Sequence, residues 1–201
     1  MTGWTINWPQ LGNQSSRRYT CGYCGSSLAS ERGWQATNPQ SSGPAAWIYI
    51  CHLCNNPTYF DPSGKQTPGS AFGDAVADIP DESVRTLYEK ARNATAAGCH
   101  TAAVLACRKL LMHIAVAKGA EEGENFVSYV EYLAAKNYVP PDAREWVDQI
   151  RAKGNEANHQ IVIMSKEDAE ELISFSEMLL KLIYEFPAAV RRKSSAKSPA
   201  T

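Results

Sequence analysis

Two Cys-x-x-Cys pairs, Cys21/Cys24 and Cys51/Cys54, constrain this 201-residue chain more than any other feature. Each pair lets one tight turn point two sulfurs at a single ion. The stretch between the pairs is long enough for a hairpin to return the second turn to the first. Gly25 follows the first pair and Asn55 the second. These residue types most readily adopt positive φ, which lets the backbone wrap beneath a metal and aim amides at its sulfurs. Four thiolates complete a tetrahedron, so the expected site is closed and structural, with no open position for catalysis. His52, inside the second pair, is then left to the surroundings of the site or to solvent. Such an ion contributes folding free energy on the order of 10–16 kcal/mol. That contribution matters here, because Met1 to Pro80 holds few large apolar residues with which to build a core.

Zinc, iron and disulfides are the three fates open to these cysteines. Disulfides need an oxidising compartment. The N-terminal Met1-Thr2-Gly3-Trp4-Thr5 has neither the basic nor the apolar region of a secretory leader. Cys99 and Cys107 fall in a helical stretch and read as small buried apolar residues. No apolar run approaches the length of a membrane span. A cytoplasmic protein with six reduced thiols and no membrane partner is expected. Iron competes with zinc because both accept four thiolates. Tyr19-Thr20-Cys21-Gly22-Tyr23-Cys24-Gly25 resembles the first knuckle of rubredoxins, which would imply an electron carrier. Cys51-His52-Leu53-Cys54 lacks the proline and glycine of the second rubredoxin knuckle. Structural zinc is therefore preferred as the cofactor, in a small β zinc ribbon spanning 1–64.

Strand signals support that assignment. Trp4, Ile6 and Trp8 alternate with polar residues, Trp47-Ile48-Tyr49-Ile50 leads into Cys51, and Thr58-Tyr59-Phe60 leaves the second pair toward a turn. Thr37 to Pro44 reads as a polar loop, and 65–79, with its glycines and prolines, as a linker. From Asp81 the pattern becomes helical. Val84, Leu87, Tyr88 and Ala91 mark one face of a first helix. A second, from about His100 to Lys118, is apolar nearly all round, as a central buried helix would be. Phe126, Val127, Val130 and Leu133 mark a third, and Ala143, Trp146, Val147 and Ile150 a fourth. Ser165 with Asp168 resembles a capping box opening a last helix, whose core face is Leu172, Phe175, Leu179, Ile183 and Phe186. The fold class is α+β: the ribbon, then an all-α helical bundle over 80–187. A basic tail, 188–201, is expected to be disordered.

Charge limits how such a chain could meet nucleic acid. Between Asp81 and Phe186 acids outnumber bases 17 to 12, whereas Arg191, Arg192, Lys193 and Lys197 follow with no acid. The bulk field mildly repels phosphate, so contact would need a local patch or the tail. Arg17, Arg18 and Arg32, with Tyr19, Tyr23 and Trp34, are candidates for such a patch, offering cations and rings to RNA or DNA. Packing of those rings around the metal is the structural alternative.

Between the fourth and last helices, Arg151-Ala152-Lys153-Gly154-Asn155-Glu156-Ala157-Asn158-His159 gathers bases, amides and a histidine into nine residues. From about Ile79 to Pro187 the chain resembles a widespread prokaryotic domain of unknown function, usually placed among HEPN-like helical domains. The resembling pieces are Leu87 to Ala91, Ala102 to Leu111, Gly154 to His159 and Leu179 to Tyr184. Members often carry a zinc ribbon just upstream. The resemblance implies a homodimer through the helical domain and a role in prokaryotic defence or stress response.

Where catalytic, HEPN domains are metal-independent ribonucleases that pair an arginine and a histidine four to six residues apart. The histidine moves a proton to or from the reacting oxygens while the cation stabilises phosphorane charge. The resemblance places His159 as that histidine and Lys153 at the position of the arginine, Arg151 lying two residues too early. Asn155 or Asn158 would orient the phosphate. Lysine lacks the planar fork of arginine. Arg108 and His113 also match the spacing formally, but five residues turn a helix by about 140°. Arg108 is instead expected to be a buried or interface ion-pair partner. Capping of helix ends is the structural alternative for Gly154 to His159. Three functions stand at this level: a zinc-binding module associated with nucleic acid or a partner protein, a ribonuclease, and an electron carrier.

Overall fold

The first third folds as an antiparallel sheet. In the computed structural model, which describes residues 11–37, 44–140, 146–148, 150 and 163–195, the chain divides into a unit ending at Ala71 and a unit beginning at Phe72. The first contains β1 (Gly12–Thr20), β2 (Ser27–Thr37), β3 (Pro44–Ile50), β4 (Pro57–Phe60) and β5 (Gln66–Thr67). Each strand pairs antiparallel with the next, in the order β1-β2-β3-β4-β5. In this meander the β1–β2 and β3–β4 turns lie at the same end of the sheet. Those two turns carry the two cysteine pairs. The expected strand at Trp4 to Trp8 lies outside the described residues.

Tyr19, Leu28, Tyr49 and Phe60 pack into one buried cluster with Cys21 and Cys51. The Tyr19 and Tyr49 rings meet Phe60 nearly edge-on, at centroid distances of 5.4 and 5.9 Å, a favoured aromatic geometry. Gly33 lets β2 approach β3 closely. A Cβ at that position would lie 1.9 Å from the Ile48 carbonyl oxygen. Gly33→Ala is therefore expected to destabilise the sheet unit by about 1–3 kcal/mol, seen as earlier proteolysis between β1 and β5 on heating.

The second unit is helical: α1 (Glu82–Ala96), α2 (His100–Ala117), α3 (Phe126–Ala135), α4 (Lys166–Leu180), a π-helical turn (Lys181–Glu185) and α5 (Phe186–Ser195). Trp146 to Asp148 and Ile150 are also helical. Local chemistry sets several starts. The Asp81 carboxylate accepts from the Ser83 and Val84 amides, and Asn125 accepts from Ser128. Ser165 and Asp168 form the reciprocal capping box. α2 packs against α1, α3 and α4, burying Val104, Cys107, Leu110, Leu111 and Ile114. By length and composition α2 could cross a membrane, contrary to expectation, but in the fold these apolar residues form the bundle core.

Four further expectations need correction. The 65–79 stretch is not a free linker. Gln66 and Thr67 form β5, while Val76 and Ile79 enter the helical core. Carboxylates on the long C-terminal helix hold its amides: Asp74 N–H donates to Glu177 Oε2 and Ala77 N–H to Glu185 Oε2, both at 2.8 Å. The basic tail remains helical through Ser195, with Arg192 paired to Asp78 at 2.6 Å. Phe186, assigned to the core, is half exposed, because the π-turn rotates the residues beyond it relative to an α-helical register. Cys99 is exposed at the start of α2, whereas Cys107 is buried and burial pushes its thiol up to about 12.

Candidate metal centre

The two cysteine turns share one geometry. In the first, Gly25 N–H donates to the Cys21 carbonyl at 2.9 Å and Cys21 N–H to that of Ser26 at 2.9 Å. In the second, Asn55 N–H donates to the Cys51 carbonyl at 2.8 Å and Cys51 N–H to that of Asn56 at 3.0 Å. Gly25 has φ +71° and Asn55 +57°, the positive values the sequence called for at both positions. Each loop thereby curls under its two sulfurs.

All four sulfurs lie within 4.8 Å of one another. Cys21 Sγ is 3.7 Å from Cys54 Sγ, and Cys24 Sγ is 3.8 Å from Cys51 Sγ. A tetrahedron with metal–sulfur bonds of about 2.3 Å has edges of about 3.8 Å, so these contacts fit one shared ion. A disulfide would need about 2.05 Å, and all four thiols are free. The donor set is consistent with zinc, and the same sulfurs would suit other thiophilic ions.

The surroundings shift Cys21, Cys24 and Cys54 in different directions. Burial pushes Cys21 up to about 11, against the lowering effect of the Cys24 and Tyr23 amides. The Ser26 amide and hydroxyl hold Cys24 down to about 6, and the Asn56 amide lowers Cys54. Around pH 7 the metal-free site therefore presents Cys24 largely as thiolate and Cys21 as thiol. A metal must displace the Cys21 proton, while Cys24 becomes a competing proton acceptor only as pH falls through about 6. Metal affinity is expected to rise about tenfold per pH unit for each thiol still protonated, measured with a competing chromophoric chelator from pH 6 to 8. A flat profile would contradict the thiol assignment of Cys21.

The remaining site candidates are scattered. Arg17 is half buried, with its guanidinium carbon 3.9 Å from the Phe60 ring centroid and 5.7 Å from that of Trp47. Arg18 is exposed beside it. Tyr19 belongs to the cluster beneath the metal, whereas Tyr23 is 54% exposed. Sequence reasoning missed a row across the sheet. Trp34 opposes Ile48, and Ile48 opposes Tyr59; directly opposed residues share a face, and all three are partly exposed. Arg151, Lys153, Asn155, Asn158 and His159 lie outside the described residues. Arg108 is partly buried, with its guanidinium carbon 4.6 Å from the Phe126 ring centroid, and burial lowers its pKa. It lines a small cavity with Asp168 and Glu171, a setting that suits the expected structural role.

The family described as a domain of unknown function (DUF4145) matches residues 89–197. No curated protein and no solved structure matches the chain.

Proposed function

This chain belongs to the DUF4145 family, and from that premise we propose that it is a zinc-stabilised nucleic-acid-associated module. In it a ribbon-type sheet unit binds single strands, and a HEPN-like helical unit follows it in sequence. The observation that carries this proposal is the partly exposed Trp34–Ile48–Tyr59 row. Bases stack on such rings regardless of sequence. Four bases to two acids between Leu11 and Ala71 give the unit a positive balance, with Arg18 on β1 and Arg32 on β2 both exposed. The metal would be held by Cys21, Cys24, Cys51 and Cys54, and its role is to fix the fold. Four sulfurs leave it no position for a substrate.

Fluorescence anisotropy with labelled single-stranded RNA and DNA tests this on the full chain. Binding should weaken as salt rises. Trp34→Ala should cost about 1–3 kcal/mol, as for loss of one stacked base, and Arg18→Ala should reduce the salt dependence. No binding to either strand type, with metal loaded, would turn the assignment toward a protein partner. RNA cleavage in excess EDTA that disappears in His159→Ala would instead make the protein a ribonuclease of the HEPN type.

A further inference from the structure

α2 and the loop after it line an open cleft of about 310 Å³, at the lower end of the range for small-molecule sites. One wall is a single face of α2, with Lys109, Met112, His113 and Val116 at the spacing of neighbouring helical turns. Glu122, Gly123 and Glu124 of the loop and Tyr129 of α3 complete the lining. The loop is held in place. Glu124 N–H donates to the Tyr129 hydroxyl at 3.2 Å, and the Tyr132 hydroxyl donates to the Lys118 carbonyl at 2.9 Å. The walls are thus arranged before any ligand arrives, which reduces the ordering cost of binding.

The charges in this cleft are incompletely matched. His113 Nε2 lies 3.4 Å from Asp81 Oδ2, and the other oxygen of that carboxylate is held by the first amides of α1, so the imidazole is oriented by a fixed partner. Among the described residues, no ion pair engages the Lys109 ammonium or the Glu122 and Glu124 carboxylates. A cation and two anions therefore line one cleft together with the apolar groups of Met112 and Val116. A dicarboxylate would meet the two glutamates, and a diamine would meet Lys109. One acid group and one or two amines on a short hydrocarbon frame satisfy every charge. We propose that this cleft binds a free amino acid, preferentially a basic one. Its α-carboxylate rests on Lys109, its cationic groups on Glu122 and Glu124, and its hydrocarbon part on Met112 and Val116.

Calorimetric titration of the full chain tests this, with L-lysine, L-leucine and L-glutamate as probes and putrescine and acetate as single-charge-type controls. L-lysine should give a saturable heat and L-leucine a weaker one, with none from L-glutamate, putrescine or acetate. Lys109→Gln and Glu124→Gln should each weaken L-lysine by about tenfold, the loss of one charged hydrogen bond. Both residues are exposed, and such replacements seldom disturb folding; circular dichroism checks this. Three results would overturn the proposal: no heat from any amino acid at about 10 mM, a range that still detects millimolar sites; putrescine binding as tightly as L-lysine; or L-lysine affinity unchanged in both variants.

Discussion

Cys51→Ser is expected to empty the metal site and unfold the sheet unit while the helical unit stays folded. Cys51 is fully buried, and its sulfur is one of four that lie within 4.8 Å of one another. Losing one thiolate forfeits much of an ion-binding free energy of about 10–16 kcal/mol, whereas whole domains are stable by only about 5–15 kcal/mol. The apolar cluster beneath the site is small and includes two of the ligands themselves, so little remains to hold the strands. The helical core draws only on residues from Val76 onward among its buried members. Metal per chain should fall from one to none, and limited proteolysis should enter the first 71 residues. Far-ultraviolet circular dichroism should retain its helical bands. Cys107→Ser, at a buried thiol remote in sequence from the four-sulfur cluster, should keep its metal. A Cys51→Ser protein that resists protease without metal would refute the structural role.

Phe175→Ala is expected to cost about 3–5 kcal/mol in the helical unit, the range for emptying a buried aromatic site. Phe175 is fully buried and meets the Trp146 ring edge-on at a centroid distance of 5.4 Å. The alanine would lose both the burial and the ring contact. Leu105→Ala on α2 is the control. Leu105 is 58% exposed, so its replacement should change stability by no more than about 0.5 kcal/mol. Urea unfolding followed by helical circular dichroism separates the two. Similar midpoints for both variants would contradict the assigned packing.

Those two side chains illustrate how far the sequence could be read. Periodicity placed Phe175 correctly on a core face because α4 is polar elsewhere. It could not place Leu105, since α2 is apolar nearly all round and offers no contrast between faces. The same limit explains β1 and β2. Gly12 to Thr20 and Ser27 to Thr37 are mostly polar and carry little strand alternation, so their pairing was not anticipated. β3, rich in apolar residues, was visible at once. The capping box at Ser165 was legible because it is a contact within one turn. The carboxylates that secure 72–79 are more than a hundred residues away in sequence, and no local pattern announces them.

The cysteine spacing and the flanking Gly25 and Asn55 determined the four-sulfur site, because each turn is closed by backbone bonds only a few residues long. Helix positions and their polar caps were determined in the same local way. Tertiary structure alone decided that Arg17 lies on Phe60 while Arg18 faces outward. It also formed the Trp34–Ile48–Tyr59 row from three different strands, and brought Lys109 into one cleft with Glu122 and Glu124. The physical reason is one of range. Turns and caps are held by bonds between near neighbours, whereas the exposure of a ring or charge depends on which distant segment comes to lie against it.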